Sequence, residues 1–268
     1  MKRGKEDMVE QLKNKIKIKN VKEAQGVFEE VGEKIKDIEG ETKKFSEKVL
    51  DFIPEYLRKR IIPSIILSVL AIIVLYSSAV IFNLFLLTVA VLMAFEWISI
   101  AKSEDDETNR WRFLGLGYIL LPTFSLMYLR GIPNGTDIIL WLFLVVWGTD
   151  TAAMFVGKTF GGPKLAPTIS PKKTWSGLAG GVVISMFIGL LCSVLFKEGA
   201  LFFIILSAFL AVLEQVSDLL ESKFKRHFNV KDSGNLIPGH GGIMDRLDGF
   251  TLTAPIIGLL VLFSNSIF

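Results

Sequence analysis

The sequence predicts an all-α, polytopic integral membrane protein of about seven transmembrane helices, with a cytoplasmic N-terminus and a charged N-terminal extension. Three observations lead to this prediction. The 268 residues are 51% hydrophobic, and their mean hydropathy of +0.48 is far above that of a soluble protein. Apolar runs of the length needed to cross a bilayer recur along the chain. Lys and Arg are distributed between the intervening loops in the pattern that orients membrane proteins.

The apolar runs define the predicted helices. A hydrocarbon core of about 30 Å takes roughly 20 helical residues to cross. Runs of this order lie near 61–77, 79–100, 112–129, 137–157, 176–196, 199–220 and 249–267. Ser77 and Ser78 form the only break between the first two runs, so one long tilted helix or a re-entrant segment would also fit there.

The loops between these runs indicate the orientation. Cytoplasmic loops carry the excess of Lys and Arg, and with the N-terminus inside, the outer loops hold only Arg130 and Lys197. This orientation places two long polar loops, residues 158–175 and 221–248, on the cytoplasmic face. We therefore expect an integral protein of a bacterial-type inner or plasma membrane, with its active site on the cytoplasmic side.

Residues 1–57 form a charged cytoplasmic extension that differs from the predicted transmembrane domain, residues 58–268. The first 60 residues hold more than half of the 30 Lys and Arg residues, and no apolar run there is long enough to insert. Either an amphipathic helix or a partly disordered charged tail fits this composition. Apolar residues recur there at helical spacing: Val21, Ala24, Phe28, Val31, Ile35 and Ile38.

Two classes of site are excluded by composition and motif. Cys192 is the only cysteine, so the chain builds neither an intrachain disulfide nor a thiolate metal cluster. No Walker pattern is present, and no dinucleotide fingerprint follows a strand, which excludes a soluble-type nucleotide fold. No nucleic-acid partner is expected.

Acidic residues collect at the last two apolar runs. Glu214, Asp218 and Glu221 share one helix face, and Asp245 and Asp248 follow at i and i+3 where the last run begins. Carboxylates near a bilayer are costly and usually functional, although exposure at a helix end would explain Glu221. Oxygen ligands converging from two helices suit Mg²⁺, whereas an isolated Asp245 would be a helix cap.

Glycines and basic residues flank these carboxylates in both long loops. The segment IPGHGG, residues 237–242, offers unobstructed backbone N–H groups, and the loop from Asp150 to Gly177 repeats the combination of glycine and lysine. Such loops hold phosphate groups. The alternative, a basic anchor on anionic lipid headgroups, explains the lysines but not the glycines or the interleaved aspartates.

Three stretches of the chain form one recognisable pattern. Glu96 and Trp97 are an acidic-aromatic pair on an early apolar run, and residues 164–175 read KLAPTISPKKTW. The third stretch contributes Ser222, Phe224, Lys225, Arg226, Lys231, Asp232, Gly234, Ile237, His240, Gly241, Gly242, Ile243, Asp245, Arg246, Leu247 and Asp248. In these residues, which fall in register with that family's signature, upstream loop and early pair, the chain resembles the CDP-diacylglycerol synthases, also called phosphatidate cytidylyltransferases. Ser217 and Ser176 depart from the family, which often has Gly and Glu there.

The resemblance implies that CTP and phosphatidate, a membrane lipid, react to give CDP-diacylglycerol and pyrophosphate with Mg²⁺ as cofactor. A second cation and a homodimer are left open. The metal ligands implied are Asp218 and Asp245, assisted by Asp248 or Asp232. The catalytic residues implied are Asp218, Asp245, Asp248, Lys225, Arg226 and Arg246. The substrate-binding residues implied are Ser170, Lys172, Lys173, Thr174, Lys223, Lys231, His240, Gly241 and Gly242.

Two other functions fit parts of the pattern. A CTP-dependent polyprenol or lipid kinase would use the same nucleotide in a similar membrane setting, but the run HGG followed by Asp245 and Arg246 favours nucleotidyl transfer. A polytopic transporter would share the hydropathy and the basic loops, yet it has no need of clustered aspartates beside glycine-rich loops.

Overall fold

The computed structural model describes residues 26, 28–36, 38, 40, 55–102, 106–197, 199–234, 236 and 241–263. The chain divides into two units, Met1–Arg58 and Lys59–Phe268. In the first unit, the described positions between 26 and 40 are helical, with Phe28, Ile35 and Ile38 exposed. Val21 and Ala24 of the predicted amphipathic pattern lie outside the described residues.

The membrane domain is built from helices that coincide with the predicted apolar runs. Five helices among the described residues are long and apolar enough to cross a membrane, and shorter apolar helices cover Ile65–Leu75 and Phe250–Phe263. This is the architecture of a polytopic membrane protein, while seven crossings and a cytoplasmic N-terminus stay predictions. The helices are α1 Glu55–Leu75, α2 Ala79–Ile100, α3 Asp106–Gly131, α4 Gly135–Phe160, α5 Trp175–Phe196, α6 Ala200–His227, α7 Met244–Leu247 and α8 Phe250–Phe263.

The break between α1 and α2 is a true helix boundary. Ser78 is extended and caps α2, its hydroxyl oxygen accepting a hydrogen bond from Ile81 N at 3.3 Å. Arg130, near the end of α3, donates to the carbonyl oxygen of Ser77 at 2.7 Å. Two separate helices therefore replace the one long helix that the sequence had left open.

A two-stranded antiparallel hairpin interrupts the otherwise helical chain between α4 and α5. β1, Lys164–Ala166, pairs with β2, Ser170–Thr174. Thr174 ends the hairpin and caps α5, because its hydroxyl oxygen accepts from Gly177 N at 3.1 Å. The prediction of an all-α chain is incomplete here, since β2 lacks the alternation of apolar and polar residues that marks a strand in sequence.

α4 forms the centre of the helix packing. Its buried face includes Trp141, Leu142 and Val145, and Trp141 Nε1 donates to Ser207 Oγ of α6 at 3.0 Å. The outer faces of the helices are apolar but uncovered, as at Val183 and Phe187 of α5. A continuous exposed apolar surface is unfavourable in water and is what a lipid-facing surface requires.

An aromatic cluster joins three helices beside the acidic residues. Trp97 of α2 stacks on Phe224 of α6 with ring centroids 3.8 Å apart, and Trp97 Nε1 donates to the carbonyl oxygen of Trp111 in α3 at 3.0 Å. Stacked aromatic pairs add stability beyond the area they bury. This cluster fixes the end of α2, and with it Glu96, against the end of α6.

Candidate active site

Three carboxylates meet between α6 and the start of α8. Asp218 and Glu221 lie one helical turn apart on α6, and Asp248 follows α7; one oxygen from each lies within 4.8 Å of the other two. The sequence predicted that Asp218 and Asp245 lead a metal site with Asp248 or Asp232 assisting. The structure brings Asp218 together with Asp248, whereas Asp245 is not a member of this group. Glu221 is fully buried, so simple exposure does not explain it.

The surroundings of this group fit a divalent cation. Glu221 Oε2 is buried and has no hydrogen-bond partner among the described residues. Burial raises the pKa of Asp248 well above its usual range, and the nearby carboxylates of Glu221, Asp218 and Asp150 raise it further. Carboxylates this close need a proton or a cation between them, and an all-oxygen donor set suits Mg²⁺.

The hairpin delivers one lysine to this group. Lys173 Nζ lies 2.5 Å from Asp218 Oδ2 and donates to Gln215 Oε1 at 2.9 Å. Gln215 Nε2 in turn donates to Glu214 Oε2 at 2.9 Å. Because successive side chains of a strand point to opposite faces, the neighbouring Lys172 is exposed. Only one of the two predicted lysines therefore contacts the carboxylates.

Asp245 belongs to an adjoining cluster. Its Oδ1 lies 2.6 Å from Lys225 Nζ, and its Oδ2 accepts from Gly242 N at 2.8 Å and Ser233 N at 2.9 Å. Burial alone would raise the pKa of Asp245, but Lys225 and the two N–H groups outweigh it and lower the pKa. Lys225 Nζ also lies 3.1 Å from Glu221 Oε1, which links the two clusters.

Glu96 reaches the same cluster from α2. Its Oε1 accepts from Ile243 N at 2.9 Å, and its Oε2 accepts from Met244 N at 2.9 Å. The Ser233 hydroxyl lies 3.0 Å from both Glu96 Oε2 and Asp245 Oδ2. The sequence marked Glu96 only through the acidic-aromatic pair of the resemblance, and nothing in it marked Ser233.

Gly241 and Gly242 of the loop are needed for close approach. Gly241 has a positive φ of 86°, and a side chain at Gly241 would collide with Asp245. A side chain at Gly242 would collide with Ser233 and Glu96. The Gly242 N–H, expected to meet phosphate, donates to Asp245 here. His240 lies outside the described residues.

The other predicted residues fall into two groups. Ser170 is half-buried at the start of β2, and Thr174 is buried as the cap of α5. The exposed ones are Lys172, Lys223, Arg226, Lys231, Asp232 and Arg246. Asp232 is not among the three carboxylates that converge. The exposed cations are accessible to a charged substrate, whereas Thr174 has a structural partner.

A cavity of about 710 Å³ opens beside the carboxylates. Apolar side chains of α1 to α4 line most of it, among them Leu70, Phe82 and Leu126, while Asp248 and Arg246 are among its charged lining residues. Such a combination of an apolar wall and charged groups fits an amphiphile with a charged head.

Comparison with known proteins identifies the family. The model of the cytidylyltransferase family matches residues 109–264, which is more than half of the chain. A phosphatidate cytidylyltransferase of Rickettsia bellii is 41% identical over 184 residues, covering 66% of this chain and 78% of the relative. One of Rickettsia typhi is 38% identical over 207 residues, covering 74% and 88%. One of Brucella suis is 46% identical over 151 residues, covering 56% of each chain. The chain therefore belongs to the cytidylyltransferase family.

Proposed function

We propose that this protein is a phosphatidate cytidylyltransferase, which transfers CMP from CTP to phosphatidate and releases pyrophosphate. Its relatives carry that name. The single observation that carries the proposal is that Asp248 belongs both to the group of three carboxylates and to the lining of the apolar cavity. A charged nucleotide and a lipid phosphate would therefore meet at one place.

The chemistry required of the protein is mainly positioning and neutralisation of charge. A phosphate monoester is already ionised near neutral pH, so the attacking oxygen needs no general base. When bound by Asp218, Glu221 and Asp248, Mg²⁺ would supply charge neutralisation at the phosphates. Lys173, close to Asp218, would offset further negative charge, and the exposed Arg246 of the cavity lining would attract a phosphate.

The lipid substrate explains the shape of the cavity. Its apolar walls come mainly from α2 to α4, which have the length and composition to cross a membrane, and from the shorter apolar stretch of α1, so the acyl chains of phosphatidate would remain in an apolar environment. The lipid phosphate would then lie against the charged lining residues. Because the cavity has an apolar part and a charged part, phosphatidate would enter from the bilayer and CTP from the water.

Several finer features belong to this proposal. We infer seven crossings, a cytoplasmic N-terminus and an active site on the cytoplasmic face of a bacterial-type inner membrane, from the distribution of Lys and Arg. Residues 1–57 would be an accessory extension. Asp245, which the sequence predicted to lead the metal site together with Asp218, and Asp232 are proposed to assist the three carboxylates. Every contact described above lies within one chain, so the proposal does not depend on a homodimer.

The test is transfer of label from CTP. Purified protein in detergent is incubated with phosphatidate, Mg²⁺ and CTP labelled at the α-phosphate, and the lipid phase is counted. Label in the lipid is expected, together with an equal amount of pyrophosphate in the water phase. Label that enters lipid only from the γ-phosphate would identify a lipid kinase instead, and no transfer from either position would contradict the proposal.

A further inference from the structure

The loop between α6 and α8 carries several of the proposed site residues, yet little of its backbone is in regular secondary structure. Its described residues include Lys231, Asp232, Asp245 and Arg246, and only the four residues Met244–Leu247 form a helix. An irregular segment of this kind has many backbone groups that need partners from elsewhere. Those partners determine where the loop lies.

Glu96 of α2 is one of these partners. It is buried on α2, 5% exposed, and accepts three hydrogen bonds from the loop, from Ile243 N, Met244 N and Ser233 Oγ. A carboxylate that accepts hydrogen bonds from backbone N–H groups forms strong, charge-assisted bonds. One side chain of α2 therefore holds two separate stretches of the loop, around Ser233 and around Ile243.

The contacts continue from Glu96 to the three carboxylates. The Ser233 hydroxyl touches Glu96 and Asp245 at 3.0 Å each. Asp245 then holds Lys225 at 2.6 Å, and Lys225 lies 3.1 Å from Glu221. The path runs without a gap from α2 to a member of the carboxylate group. We propose that Glu96, together with Ser233, is a positioning residue that sets the place of the loop and the orientation of Asp245 for catalysis.

This role rests on the proposed function, and it goes beyond it because Glu96 neither lines the cavity itself nor belongs to the carboxylate group. Glu96→Gln keeps the size of the side chain and its packing beside Trp97. It leaves one acceptor oxygen and turns an amide N–H₂ toward groups that are themselves donors. Ser233→Ala removes the shared hydroxyl alone. Both changes act on the loop and replace no residue that is assigned to substrate or metal.

The first measurement is hydrogen exchange of the loop amides in detergent. In the wild-type protein, the amides of Ile243 and Met244 should exchange slowly because Glu96 accepts from both. In Glu96→Gln their exchange should be about tenfold faster or more, while helix α4 keeps its protection. The matched control is Glu107→Gln on α3, where the glutamate is 69% exposed and faces His227. It should leave the loop unchanged.

The second measurement is turnover of the same variants. We expect kcat to fall about tenfold to a hundredfold in Glu96→Gln and about tenfold in Ser233→Ala. The double variant should be little worse than Glu96→Gln alone, because both act through one path. Ser233→Ala alone decides the matter if Glu96→Gln does not fold.

The outcomes separate the two proposals. Unchanged loop exchange in Glu96→Gln, wild-type turnover in both variants, or fully additive losses in the double variant would each overturn the positioning role. So would a loop made equally labile by Glu107→Gln. A wild-type protein that transfers no CMP would contradict the proposed function instead, while the exchange measurement would still decide whether Glu96 holds the loop.

Discussion

The negative charge of Asp248 lowers the stability of the folded protein, and the same charge is needed for the proposed reaction. It stands close to Asp218 and Glu221, and its pKa is raised by burial and by these neighbours. Groups of this kind are retained at active sites despite their cost to stability. The same reasoning applies to Glu221, which is fully buried with an oxygen that has no hydrogen-bond partner in the described part of the chain.

Replacing Asp248 with Asn should separate the two effects. We expect turnover to fall about a hundredfold or more, because a ligand of the proposed Mg²⁺ site is lost. The thermal unfolding temperature without divalent cation should be unchanged or higher, because one of three crowded carboxylates is neutralised. Unfolding in detergent with and without Mg²⁺ and the labelled-CTP assay measure both. Asp137→Asn at the start of α4 is the matched control, and wild-type turnover in the Asp248 variant would remove this residue from the site.

Asp245 should instead make the protein sensitive to acid. Its pKa in the folded state is lowered, chiefly by Lys225 and two backbone N–H groups acting against burial. The stability it contributes is therefore present above the unfolded pKa of about 3.9 and is lost as the pH falls through the lowered value. Asp245→Asn should cost about 2 kcal/mol of unfolding free energy at pH 7.

The measurement is the unfolding temperature between pH 7 and about pH 3 for both proteins. The difference between wild type and Asp245→Asn should shrink toward the acid end, because the stabilising charge of Asp245 is lost as the pH falls below the unfolded pKa and through the lowered folded pKa. A variant as stable as wild type at neutral pH, or a difference that grows on acidification, would show that these contacts do not stabilise the loop.

At the residue scale, the sequence could predict contacts between residues that are near each other along the chain or at the ends of predicted helices. It could not predict contacts between distant residues that only the folded structure brings together. Asp218 and Asp245, with Asp248 assisting, were predicted to converge from their positions at two helix ends, but Asp248 lies beside Asp218 and Asp245 contacts Lys225 instead. The sequence could not show whether Glu221 is exposed, because its burial depends on the side chains of the neighbouring helices. The contact between Ser233 and Glu96 joins residues 137 positions apart, and no local pattern encodes such a separation.

At the scale of elements, β2 determines which lysine serves the site. The strand turns Lys173 toward Asp218 and Gln215 and leaves Lys172 exposed. The apolar runs identified the helices well, because a membrane-spanning helix needs a long continuous signal. The hairpin and the short helix α7 carry only a few residues each, and their pairing and capping partners lie outside any such run.

The two lysines of β2 form a natural matched pair. Lys173→Gln should lower kcat/KM about tenfold or more, because it removes a charge that lies next to the carboxylates. Lys172→Gln should change kcat/KM by less than about threefold, since its exposed charge is screened by solvent. Titrating CTP and phosphatidate separately shows which substrate depends on Lys173. Equal effects of the two changes would mean that the orientation of the strand does not matter to the reaction.

At the scale of the whole molecule, the membrane domain combines two surfaces with opposite requirements. The outer helix faces expose large apolar side chains such as Phe187 and Leu195, while charged groups gather around the loops that follow α4 and α6. Composition alone predicted this division, since hydropathy reports on lipid contact. It could not predict the cavity, whose walls come from α1 to α4 and whose charged members come from α4 and the region after α6.

The orientation of the molecule in the membrane is the last prediction. Cys192 is buried and is the only cysteine, so single cysteines can be introduced and labelled with a membrane-impermeant maleimide. Thr168→Cys at the tip of the hairpin should react only in inside-out vesicles. Pro133→Cys, exposed between α3 and α4, should react in intact spheroplasts, because the distribution of Lys and Arg puts these loops on opposite sides. The protein without added cysteine is the control, and full labelling after detergent shows that each site is reactive. The reverse pattern would place the proposed active site on the outer face, where CTP is not supplied. Labelling of both positions from the same side would show that α4, the one helix between them, does not cross the membrane.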